Sequence, residues 1–187
     1  MAEAAPGQRA ASDLARIVGA ATISTFGSML TRIALPFVAI DALGASAAEM
    51  SALSIARLLP GLTIGVLLGA WIERRRKRGV MIGADLAHAA LLLTVPVAYA
   101  FGALSMALLL AFAFVSGLLS FAFEVARWSF VPSLASREQL IAANSRIAGG
   151  TTAAEALEFG GGGWLVQLLS APFALVADAL SYLASAA

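Results

Sequence analysis

Long apolar segments follow one another along almost the whole chain, separated only by short polar or charged stretches. Most of the segments have the length of a membrane-spanning helix, which needs about 20 predominantly apolar residues. Breaks at Gly, Pro and charged residues place the segments at approximately 16–40, 49–72, 80–101, 104–127, 140–169 and 172–187. The sequence therefore predicts an all-α fold, a polytopic membrane bundle of six transmembrane helices.

The composition favours the same class of protein. Hydrophobic residues make up 60% of the chain and charged residues only 12%, and the mean hydropathy is +0.90. About a quarter of the residues are charged in ordinary soluble domains, so a soluble fold of this composition would expose large apolar patches. The net charge of +1 gives no reason to expect nucleic acid as a partner. We predict a cytoplasmic tail over residues 1–13 and a six-helix domain over residues 14–187, in contact with the lipid bilayer.

Basic residues are concentrated in alternate loops of this predicted bundle. Positions 74–78, between the second and third segments, are all Arg or Lys, and Arg137 lies between the fourth and fifth segments. Cytoplasmic loops of membrane proteins carry the excess of Arg and Lys. This distribution predicts a multi-pass protein of the cell (inner or plasma) membrane with its N- and C-termini in the cytoplasm.

The sequence offers little for an enzyme. It contains no cysteine, and its single histidine, His88, is not surrounded by a recognisable metal-binding motif. The four glycines at positions 160–163 lack the Lys-Ser/Thr pair that would follow in a phosphate-binding loop. We therefore predict no enzymatic activity, no cofactor and no metal site, and we interpret the glycine run as a close helix crossing.

A second set of glycines indicates close packing in the second segment. Gly61, Gly65 and Gly69 recur every four residues and form one smooth ridge along a helix. In membranes such ridges allow helix backbones to approach closely, because packing drives helix association there.

The basic loop carries a family resemblance. Gly69, Glu73, Arg74, Lys77 and Arg78 follow the spacing of the signature loop of the major facilitator superfamily, in which a glycine precedes an acidic residue, an arginine and two further basic residues. Glu73 stands in place of the commoner Asp, and Arg76 stands where Gly is usual. In the family this loop acts as a latch between the two halves of the transporter.

Further motifs resemble the drug and siderophore exporter branch of this superfamily and follow its order over about residues 14–187. They are Thr31-Arg-Ile-Ala-Leu-Pro36, Asp85-Leu-Ala-His88, Ala126-Arg127 with Val131-Pro132, Ala142-Ala-Asn144 and Asp178-Ala-Leu-Ser-Tyr182. The resemblance implies a proton-driven exporter of small amphipathic molecules, such as macrolides, siderophores of the enterobactin type or related natural products. It also implies that the acidic residue often found near Ser28 in this branch is replaced here.

The resemblance covers only half of a complete transporter. Members of the superfamily have twelve helices in two six-helix halves, with the substrate site between the halves. This sequence matches the N-terminal half, which implies a second six-helix half or a homodimer as partner. The alternative is a non-transporting, truncated six-helix membrane protein, or a subunit that requires a partner half.

Charged residues inside the predicted helices are candidates for substrate or proton binding. A charge at membrane depth costs at least about 2.5 kcal/mol, so such residues usually face protein or water. We predict that Arg32, Glu155 and Glu158 line a central cavity, the two glutamates lying three residues apart on one helix face. For these three residues a structural role is an equal alternative.

Other charged residues are interpreted as structural. Asp85, His88 and Arg127 are predicted close to the cytoplasmic face, as parts of a structural charge network, and Asp178 as the partner of an arginine. Arg57 is predicted to reach a depth similar to that of Arg32, with Asp178 at a compatible level as counter-ion. The alternative is that Arg57 extends along its helix to the outer interface of the membrane.

Overall fold

The computed structural model describes residues 28–130 and 171–186 continuously, and Gly19 and parts of 141–160 besides. The described residues are almost entirely helical and include no strand. The helices are α1 (28–43), α2 (Ala47–Thr63), α3 (Gly65–Glu73), α4 (Lys77–Ala100), α5 (Met106–Phe130), α6 (the described residues among 141–160) and α7 (Ala171–Ala186). The all-α prediction is confirmed for the described residues.

Within the described part of the chain, two helices are long and apolar enough to cross a membrane. These are α4, with 24 residues, and α5, with 25. At 1.5 Å per residue each is about 36 Å long or slightly more, which exceeds the roughly 30 Å hydrocarbon core of a bilayer. The pair α2 and α3 passes the same test of length and composition when it is taken as one broken span, which gives up to three spans. Six spans remain a prediction.

The second predicted segment is not one straight helix. It consists of α2 and α3, which meet at Ile64 with a bend of 53°. Pro60 lies inside α2 one turn before the break, where it lacks the N–H that would bond to the preceding turn. Glycines on both sides of the break, Gly61 and Gly65, weaken the helix further. The ring of Phe121 from α5 fills the space beside them, and a Cβ on Gly65 would lie only 2.9 Å from this ring.

Among the described residues, alanine is frequent in the packed interior, whereas many large apolar residues point outward. Nine of the twenty buried hydrophobic residues are alanines. Large side chains such as Leu62, Val66, Phe101 and Trp128 are 68–88% exposed. Small residues at helix contacts and large ones outside are typical of helices that pack within lipid, where water exclusion does not drive association. The described surface therefore suits a membrane.

Tight turns join several of the helices. α4 packs against both α5 and α7, and α2 packs against α5. The turn after α4 is a Schellman motif, in which Gly102 has a φ of 65° and Ala103 N–H donates to the Ala98 carbonyl at 2.9 Å. α2 begins with a capping box between Ser46 and Glu49. These local signals explain why the chain reverses at these positions.

Candidate functional site

Polar side chains form a buried network between α1 and α7. Thr31 donates a hydrogen bond to Asp178 Oδ2, and Ser181 Oγ donates to Asp178 Oδ1 at 3.0 Å. One turn along, Ser28 Oγ and Tyr182 Oη lie 2.7 Å apart and share a hydrogen bond. The two contacts place Thr31 beside Asp178 and Ser28 beside Tyr182, so that α1 and α7 are antiparallel. Both carboxylate oxygens of Asp178 are therefore satisfied by protein donors, as a buried carboxylate requires.

The network continues into α4 and α5 through His88. The ring of His88 stacks on that of Tyr182, with centroids 4.3 Å apart, and His88 Nε2 hydrogen-bonds Ser116 Oγ at 2.8 Å. Near the basic end of α4, Ser185 Oγ donates to Asp85 Oδ2 at 2.7 Å. The side chains of Asp85, His88 and Asp178 are only 1–4% exposed. His88 lies at the middle of α4, deeper than its predicted position near the cytoplasmic face.

Arg57 of α2 is the cationic side chain beside this network. It interacts electrostatically with both His88 and Asp178. α2 reaches this position because Gly117 of α5 has no side chain: a Cβ at Gly117 would overlap the Arg57 carbonyl. The backbone of α2 thus rests directly on α5. Arg57 is half-buried, and the structure places it in the interior rather than at the outer end of α2.

A cavity of about 90 Å³ lies between α1, α2 and α5. The described residues that line the cavity include a polar group and an apolar group. The polar lining residues are Thr31, Arg32, Ser54, Arg57 and Ser116, and the apolar ones are Leu35, Pro36, Met50, Leu53, Phe112 and Ala113. A volume of this size holds a few water molecules, and the polar lining can bind them.

The three predicted substrate or proton ligands have different positions. Arg32 lines the cavity. Glu155 belongs to the described residues of α6, where it is exposed, and it is not among the described residues that line this cavity. Glu158 lies outside the described residues. That Arg32, Glu155 and Glu158 together line one central cavity therefore stays a prediction.

The loop that carries the family signature is a short turn between α3 and α4. Gly69 lies within α3, Glu73 ends this helix, Arg74 follows it, and Lys77 and Arg78 open α4. Lys77 Nζ donates to the Glu73 carbonyl at 3.2 Å, and the Arg75 guanidinium lies 5.1 Å from the centre of the Trp71 ring. An added Cβ on Gly69 would meet nothing within 4 Å, whereas Gly61 and Gly65 contact Phe121.

The residues of the predicted structural charge network occupy two places. Asp85, His88 and Asp178 belong to the buried network described above. Arg127 lies near the end of α5, where it forms an ion pair with Glu124 one turn earlier on the same helix. Its guanidinium lies 5.4 Å from the centre of the Trp128 ring.

Sequence reasoning missed several partners in this site. Ser116 and Ser185 bind His88 and Asp85, yet single serines in apolar helices give no signal of the partner they will meet. The Ser116-Gly117 pair is the one hint, because it ends the apolar run that opens α5, at the point where α2 approaches closely. Among the residues that the structure describes, no three His, Cys, Asp or Glu side chains are placed to hold a metal ion.

Comparisons with models of known protein families, with curated proteins and with solved structures give no match. The resemblance to the major facilitator superfamily therefore rests on the sequence motifs alone.

Proposed function

We propose that this chain is the N-terminal six-helix half of a secondary active exporter of the drug and siderophore branch of the major facilitator superfamily. It moves small amphipathic molecules out of the cell and is driven by protons. In this proposal the chain is a multi-pass protein of the inner or plasma membrane with both termini in the cytoplasm. A second six-helix half, or a second copy, completes the substrate site.

The observation that carries the proposal is the buried polar network with its adjoining cavity. Asp85, His88 and Asp178 are buried among helices whose outer surfaces are apolar. Ionisable groups at membrane depth are expensive, and they commonly mark substrate or ion pathways.

The size of the cavity supports a partner half. Small-molecule sites usually enclose roughly 300–1,000 Å³, whereas this cavity measures about 90 Å³. The volume that α1, α2 and α5 enclose is too small for an amphipathic natural product. A site formed between two halves provides the missing wall.

A transport assay tests the proposal. The chain is expressed alone and together with a candidate second half in bacterial cells that lack their own exporters, and the accumulation of macrolides and siderophores is measured. We expect lower accumulation than in cells without the chain, and loss of this difference when an uncoupler collapses the proton gradient. Equal accumulation with and without the chain under all conditions would overturn the proposal.

Two variants test the predicted acidic residues in the same assay. Glu155→Gln and Glu158→Gln are expected to reduce export and to change its pH dependence. Glu49→Gln is the matched control, because Glu49 caps α2 at an exposed position. Unchanged export and pH dependence in both variants would remove these glutamates from the mechanism.

The alternative is a six-helix membrane protein that does not transport. The size of the purified protein separates the two. A stable homodimer, or a complex with a second six-helix chain, favours a transporter in two parts. A monomer that binds no substrate favours the alternative.

A further inference from the structure

Two arginines line the same small cavity from different helices. Arg32 extends from α1 and Arg57 from α2, and both are half-buried. A guanidinium has five N–H donors in a planar fork that matches a carboxylate or a phosphate. Both arginines also have interactions within the protein, and a guanidinium can bind a protein group and a ligand at the same time through different N–H donors.

The hydroxyl groups that line the cavity differ in the hydrogen bonds that they can still make with a ligand. Thr31 donates its proton to Asp178, so its oxygen has only acceptor capacity left. Ser116 bonds His88 Nε2. When His88 is the donor of that bond, the Ser116 hydroxyl proton is available to a ligand in the cavity. The two guanidiniums are therefore the strong hydrogen-bond donors that line the cavity, and the Ser116 hydroxyl is an additional, neutral donor.

The rest of the wall is apolar. Leu35 of α1 and Phe112 of α5 belong to this part. The volume of about 90 Å³ is sufficient for an anionic group and too small for a whole organic molecule. A ligand that matches both parts of the wall has a compact anionic head and an apolar body that extends out of the cavity.

We infer that the cavity between α1, α2 and α5 binds the anionic head group of an amphipathic molecule, through the guanidiniums of Arg32 and Arg57. The inference rests on the proposed function only where it identifies this anion as the exporter's cargo. A free organic anion and an anionic lipid share the required chemistry, and the experiment below separates them.

Head-group chemistry is tested first on the unchanged chain. The protein is purified in nanodiscs of phosphatidylcholine, and binding of 2-naphthoate, 2-naphthamide and 2-naphthylmethylammonium is measured by equilibrium dialysis against empty nanodiscs. These probes share one apolar body and differ in charge. We expect naphthoate to bind about tenfold or more tightly than the other two, since hydrogen bonds to charged groups are the stronger ones. Equal binding of all three would overturn the inference.

Variants then locate the site. Arg32→Gln and Arg57→Gln are each expected to weaken naphthoate binding about tenfold or more, and Arg57→Lys is expected to restore part of it. Arg127→Gln is the matched control, because Arg127 pairs with Glu124 at the end of α5. An equal loss in Arg127→Gln would show a general surface charge effect and would overturn the inference. Size-exclusion chromatography of each variant checks its folding.

The source of the anion is separated by the lipid. In nanodiscs that contain phosphatidylglycerol, lost naphthoate binding identifies a lipid head group as the occupant, and retained binding identifies a free organic anion. Both results support an anion site. Failure of naphthoate binding alongside measurable export would overturn this inference and leave the proposed function intact. Naphthoate binding without export would overturn the proposed function and leave this inference intact.

Discussion

The two sides of α1 differ in how their polar groups are satisfied. Toward α7 and α4, polar groups meet polar groups: Thr31 binds Asp178, and Ser28 binds Tyr182, which stacks on His88. Toward α2 and α5, the next residue, Arg32, lines the cavity together with Arg57. Thr31 also lines this cavity, but its hydroxyl proton is donated to Asp178, so Thr31 lies at the border between the network and the cavity.

This difference separates stability from binding. Groups whose partners come from the protein hold helices together, and a change there leaves a buried partner unsatisfied. Groups around a cavity can exchange water for a ligand, so a change there affects binding more than folding. The following predictions test that distinction through the free energy of unfolding, measured in lipid bicelles.

The largest expected effect is at Gly117, where α2 rests on α5 between the network and the cavity. Gly117→Ala places a methyl group on the Arg57 carbonyl, and we expect it to destabilise the protein by about 1–3 kcal/mol through overpacking. Gly83→Ala in α4 is the control, because its methyl group meets nothing within 4 Å. Equal stability of the two variants would show that the close approach of α2 and α5 is not required.

The next effect concerns the closed network. A double-mutant cycle of Thr31→Val and Asp178→Asn is expected to give a coupling energy of about 1 kcal/mol, within the range measured for hydrogen bonds between membrane helices. Thr94→Val combined with Asp178→Asn is the control cycle, since Thr94 bonds only a carbonyl of its own helix, that of Leu91. Coupling of the same size in both cycles would contradict a specific bond between α1 and α7.

The smallest expected effect is the difference in stability between variants of two serines that line the same cavity. Ser116 is buried and bonded to His88, whereas Ser54 is exposed and bonds the Met50 carbonyl one turn back. We expect Ser116→Ala to cost about 0.6 kcal/mol, and Ser54→Ala to change the free energy of unfolding by less. If Ser54→Ala destabilised the protein more than Ser116→Ala, the distinction between the network residues and the other cavity residues would be contradicted.

Apolar length and glycine spacing predicted much of the fold. The segments that contain α4 and α5, their turn at Gly102 and the contact surface at Gly61 and Gly65 were all readable from the sequence. The break at Ile64 was not, because Pro60 inside an apolar segment is compatible with either a mild or a sharp bend. A further three spans stay predictions.

The site was less accessible to sequence reasoning. Arg32 could be selected because a charge in an apolar helix is costly. The pairing of Thr31 with Asp178, 147 positions later, depends on helix packing that no local pattern encodes. The sequence predicts Arg57 at a depth similar to that of Arg32, and both residues line the cavity. The close approach of α2 to α5 beside Arg57 depends on the absence of a side chain at Gly117, which no local pattern predicts.

The central claim is that α4 and α5 cross a membrane with their basic ends on the cytoplasmic side. The chain has no cysteine, so single cysteines can be introduced at Gly79, near the start of α4, and at Ala103, in the turn between the helices. A membrane-impermeant maleimide is applied to intact cells and to permeabilised cells. We predict labelling of Ala103→Cys in intact cells and of Gly79→Cys only after permeabilisation. Labelling of both positions in intact cells, or of neither position until permeabilisation, would contradict the claim.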